Sequence, residues 1–67
     1  MSEPLAHIRH AKILKYCSKG LRKFFAEHGL DYLKFVREGI PEHLIWDTGD
    51  EQARRIVIEA RKERGEI

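Results

Sequence analysis

The sequence predicts an all-α fold, a compact single domain over residues 1–67 made of four to five short helices and ending in a longer amphipathic helix. Three observations carry that reading. Gly29-Leu30-Asp31 and Gly39-Ile40-Pro41 each stop one helix and start the next. A glycine takes the left-handed backbone that ends a helix, the apolar residue after it folds back, and Asp31 or Pro41 opens the following turn. Apolar residues recur at helical spacing in the segments between these boundaries, and no segment alternates as a strand would.

Taken in order, the first helix is expected over about Pro4 to Tyr16, with Leu5, Ile8, Ala11 and Leu14 as one stripe and Pro4 in its first turn. Ile13 and Tyr16 fall off that stripe. Gly20 acts as the next breaker, with Ser18 as a cap, and a second helix follows from Lys19 or Leu21 to His28. Leu21, Phe24 and Phe25 are expected at the centre of the core, Phe25 being the one whose position allows a flank instead. A third helix, about Tyr32 to Glu38, is too short to stand without packing. A one- or two-turn helix through Leu44, Ile45 and Trp46 follows Pro41, which pre-sets its first turn.

The last helix spans about Gly49 to Arg64. Thr48 and Glu51 have the spacing of a capping box. Ala53, Ile56, Val57 and Ala60 form the inward stripe, the basic Arg61, Lys62 and Arg64 suit the negative end of the helix dipole, and Gly65 stops the helix.

A chain of 67 residues sits near the lower limit for independent folding, so self-association or a partner is an expected source of added stability. Apolar residues make up 42% and charged residues 36%, a globular balance. No apolar run reaches the ~20 residues of a membrane span and no secretory segment follows Met1, so the expected location is the cytoplasm. The single cysteine, Cys17, excludes an internal disulfide and is expected to be a buried thiol at a helix end. The net charge of +2 hides a polarity, with residues 1–37 at +5 and residues 38–67 at −3. A basic half suits nucleic acid, an acidic protein, or the acidic half of a second copy, while the plainer reading is a solvated surface.

No catalytic constellation is legible. Cys17 and His28 lack an orienting third group, and His7 with His10 falls two ligands short of a structural zinc set. Asp47, Asp50 and Glu51 resemble a carboxylate cluster for magnesium, but helix capping already explains Asp50 and Glu51 without a metal. The chain is read as non-enzymatic, without metal or cofactor. Three residues stand out for partner binding: Trp46, in a very short helix before a charged turn; Ile58, off the stripe of its helix; and Tyr16, among basic residues. For Trp46 and Tyr16 the alternative is a place at the edge of the core.

A competing reading is a helix-turn-helix around Gly29. Phe24, Leu30 and Phe35 fill places the motif wants apolar, and Arg22, Lys23, Lys34 and Arg37 become phosphate contacts. Phe25 stands where a small residue normally lets the helices approach, Glu38 stands where an aliphatic one is expected, and no Asn or Gln is placed to read adenine.

Cys17-x-x-Gly20-x-x-Lys23-x-Phe25, then His28-Gly29-Leu30-Asp31, Phe35, Gly39-Ile40-Pro41, Gly49-Asp50 and Ala53 form an ordered string over roughly residues 17–60. This string resembles small, largely uncharacterised proteins of tailed bacteriophages and prophages. The resemblance implies expression inside an infected bacterium and a non-catalytic role near virion assembly or on a host factor. It assigns no functional residues. The expected partner is therefore a phage structural or host protein, with duplex DNA or a second copy of the chain as the other options and no membrane.

Overall fold

The computed structural model describes residues 3–66. Five helices carry most of the chain: α1 (Ile8–Ile13), α2 (Ser18–Glu27), α3 (Tyr32–Arg37), α4 (Glu42–Trp46) and α5 (Glu51–Glu63). The all-α expectation holds in the main, with one addition. Two-residue strands β1 (Leu5–Ala6) and β2 (Ile40–Pro41) pair antiparallel, Leu5 opposite Pro41 and Ala6 opposite Ile40.

That pairing corrects the first expected helix. Pro4 to Ala6 are extended, and the helix is only Ile8–Ile13. Pro4 O accepts the backbone N–H of Glu42 at 3.0 Å, tying the N-terminal segment to the start of α4. The helix stops because Lys15 turns left-handed, at φ +59°. Gly20 is therefore no breaker. It lies in the first turn of α2, which opens at Ser18 with Cys17 as its N-cap. Pro41 likewise sits one place earlier than expected, in β2 and at the N-cap of α4.

The Gly29 boundary is as read. Gly29 has φ +66°, its N–H donates to Ala26 O at 3.3 Å, and Leu30 N–H donates to Phe25 O at 2.8 Å. These paired bonds make a Schellman motif, and Leu30 folds back against the core. Asp31 then caps α3, its Oδ1 accepting Lys34 N–H at 3.0 Å. Gly39, at φ +89°, answers a second demand. A Cβ there would lie 2.6 Å from the His7 ring and 2.9 Å from Ala6 O, so the β1–β2 contact requires its bare Cα.

Phe25, Phe35, Ile45, Ile56 and Val57 are fully buried around α5, with Leu21 and Ile40 beside them. Of the two adjacent aromatics expected at the core centre, Phe25 is central, while Phe24 is only partly buried with its ring centroid 4.4 Å from that of His28. Ala11 and Ala60 are fully buried where α1 crosses α5; their small side chains let the two helices approach. The expected capping box of Thr48 and Glu51 does not form. Asp50 is the N-cap of α5, accepting Ala53 N–H at 2.9 Å, while Thr48 Oγ1 donates to Ile45 O at 2.8 Å and closes α4. With Ala53 at the third helical position no side chain is there to reciprocate, so the helix start is capped by one carboxylate alone.

Candidate functional site

The α2–Gly29–α3 hairpin presents the most unsatisfied surface. A helix of six residues has room for one buried stripe. Phe35 supplies it, with Tyr32 partly buried one turn earlier. Phe25 stands between the two helices, its ring centroid 4.8 Å from Phe35 and 5.7 Å from Tyr32. The second apolar pair of α3 then faces out: Leu33 is 63% exposed and Val36 41%. Sequence reasoning placed both among the helix's apolar residues and missed their exposure. The available signal was the pairing itself, since Tyr32 with Phe35 and Leu33 with Val36 are two stripes on one short helix.

Unpaired positive charge is concentrated in the first half of the chain. Lys12, Lys15, Lys19, Arg22, Lys23, Lys34 and Arg37 are all exposed. Among the described residues, no ion pair involves any position from 11 to 41. Arg22 instead lies over the Tyr32 ring, 5.5 Å from its centroid, which places it at the start of α3.

The chain's salt bridges are gathered elsewhere. Glu63 holds Arg9 at 2.7 Å and the ring Nε2 of buried His10. Arg9 first and then His10 pull the Glu63 carboxyl down to about 2. His10 Nδ1 accepts the His7 backbone N–H at 2.9 Å, so Nε2 carries the proton that is given to Glu63. His7 is held below its ordinary value, chiefly by desolvation and then by Arg9 and His10. Glu42, 7% exposed, is bracketed by Arg61 at 3.3 Å and Arg64 at 2.9 Å. These pairs knit α1 and α4 to the C-terminal turns of α5.

The three residues singled out for partner binding do not converge. Trp46 packs partly buried on the core, with the guanidinium carbons of Arg54 and Arg61 lying 4.6 and 4.7 Å from its ring. Arg54 Nε also donates to Trp46 O at 3.0 Å, so α5 covers the indole. Tyr16 is partly buried, and its hydroxyl donates to Gln52 O at 3.0 Å, which joins the α1–α2 loop to α5. Ile58 is half-buried on α5.

A groove of about 260 Å³ opens between the first turns of α2 and α5, lined by Tyr16, Leu21, Phe24, Ala53 and Ile56 among others, with Cys17 at its rim. Cys17 is exposed, which corrects the expectation of a buried thiol. Cys17 is the N-cap of α2, and the nearby backbone N–H groups of Gly20 and then Lys19 lower its pKa. His28 caps the other end of the same helix, about 16 Å away at 1.5 Å per residue, so the two cannot act as nucleophile and base. The four proposed phosphate contacts, Arg22, Lys23, Lys34 and Arg37, are all exposed on α2 and α3. Set against protein-family models, curated proteins and solved structures, the chain matches none.

Proposed function

We propose that this chain is a non-catalytic protein-binding module of phage origin, acting in virion assembly or on a host factor through the outer face of α3. The supporting observation is the pair Leu33 and Val36, exposed one turn apart on a helix already anchored by Phe35. Exposed large apolar residues beside unpaired charge are the ordinary composition of a docking patch. Trp46, Tyr16 and Ile58 act in this reading as supports of the fold, since each packs on or against α5.

One observation favours the second reading, duplex DNA: Arg22, Lys23, Lys34 and Arg37 lie exposed on the same hairpin without carboxylate partners among the described residues. Leu33 and Val36 count against it, because they occupy positions on α3 where groove reading needs hydrogen-bonding side chains. A labelled random duplex titrated at ~50 and ~200 mM salt separates the two. A protein-binding face gives no duplex binding even at the lower salt. Affinity that weakens steeply with salt and falls on charge reversal at those four residues replaces the protein reading with the DNA one.

A further inference from the structure

The geometry points to the kind of partner the α3 face takes: an acidic amphipathic helix, seated with its apolar stripe on Leu33 and Val36 and its carboxylates on Lys34, Arg37 and Arg22. This rests on the protein-binding reading above and goes on to name the partner's chemistry. Leu33 and Val36 stand three apart, as do Lys34 and Arg37, so α3 carries an apolar strip and a cationic strip side by side. Arg22, held over Tyr32, adds a third cation where α2 meets the start of α3.

The partner's charge follows from where the chain's own carboxylates are. Glu42, Glu63 and Glu66 are engaged by Arg61, Arg64, Arg9 and His10 at the opposite end of the sequence. Near the face only Glu27, Asp31 and Glu38 are acidic, and Asp31 is occupied as the cap of α3. Seven cations between residues 12 and 37 therefore meet two carboxylates over the same span. Such a surface repels a basic partner and steers an acidic one, while the apolar pair gives it something to bury. A helix rather than an extended strand fits, because one turn of α3 offers side chains at helical spacing, and the only sheet edge described is two residues long.

The test is a selection on the intact chain. A displayed library of 16-residue helices keeps apolar residues at i, i+3, i+4 and i+7 and varies the flanking positions freely among acidic, basic and neutral residues. The expected result is enrichment of Asp and Glu at the flanks. The strongest helix, made as a free peptide, is expected to lose about tenfold in affinity against Leu33→Ser and several-fold against Lys34→Glu. Against Lys34→Glu/Arg37→Glu the selected flanks are expected to turn basic. Helices that bind α3 without charge preference overturn the acidic partner and leave the protein-binding reading standing. Selection of helices indifferent to Leu33→Ser, together with duplex binding that needs Lys34 and Arg37, overturns both.

Discussion

Gly29 and Gly39 share a left-handed backbone, and replacing each by alanine separates what that backbone costs from what a close contact costs. Gly29 has φ +66° with nothing within 4 Å of an added Cβ. Gly29→Ala therefore meets only the conformational penalty, about 1 kcal/mol. Gly39 has φ +89°, and its Cβ would stand 2.6 Å from the His7 ring and 2.9 Å from Ala6 O. The imidazole can swing aside, but the Ala6 carbonyl belongs to the β1–β2 pairing and cannot move without loosening it. Overpacking of this kind costs about 1–3 kcal/mol beyond the backbone term, so Gly39→Ala is expected to lose about 3 kcal/mol. A chain of 67 residues has a total stability of about 3–10 kcal/mol, which makes that loss a large share. Thermal unfolding followed by helical circular dichroism reads both variants. The expected fall in melting temperature is about 4–8 °C for Gly29→Ala and two to three times that for Gly39→Ala. Adding His7→Ala to Gly39→Ala should recover part of the difference, since it removes the ring and leaves the carbonyl. Equal losses for the two glycine variants would refute the claim that Gly39 is reserved by the N-terminal segment.

Four further outcomes are expected. Asp50→Ala should cost about 1 kcal/mol in urea unfolding and Thr48→Ala less, because Asp50 and not Thr48 caps α5; the reverse order would restore the capping box at Thr48. The Glu63 carboxyl titrates at about 2 in the folded chain against 4.5 without its partners, so its contribution is whole above pH 4.5 and is lost as pH falls toward 2. Melting temperature should drop across that window, and less steeply in Glu63→Gln. His7, held below 6.5, adds stability above pH 6.5 that falls away on acidification, and His7→Ala should remove that component of the profile. Cys17, exposed with its thiol pKa lowered by two backbone N–H groups, should react with a disulfide reagent at neutral pH a few times faster folded than in urea. No difference would mean that the N-cap geometry does not reach the sulfur.

The legible parts of this fold are those fixed by neighbours a few residues apart. Gly29, Leu30 and Asp31 close α2 and cap α3 through bonds that span five residues or fewer, and the inward stripe of Ala53, Ile56, Val57 and Ala60 is a local period. The N-terminal segment was misread because Leu5 and Ala6 are held by Pro41 and Ile40, and a helical spacing of apolar residues does not reveal a partner 34 residues away. Phe24 was expected beside Phe25 at the centre, but adjacent residues on a helix stand about 100° apart and only one of them can face it squarely. The core boundary is then set by which of them meets Phe35. For the candidate surface, the basic residues were legible by count but not by state. Whether Arg64 or Arg37 is free depends on where Glu42 lands, and that is a tertiary fact. The exposure of Leu33 and Val36 was not legible because composition alone does not say which of two apolar stripes a short helix buries.

The most direct test of the α3 face is a photocrosslinking amino acid placed at position 33, compared with the same group at exposed position 55 of α5, in the bacterial cytoplasm. The account predicts one discrete protein adduct from position 33, absent from position 55 and lost when Val36 is changed to Ser. Adducts to nucleic acid from position 33, or the same protein adducts from both positions, would contradict it.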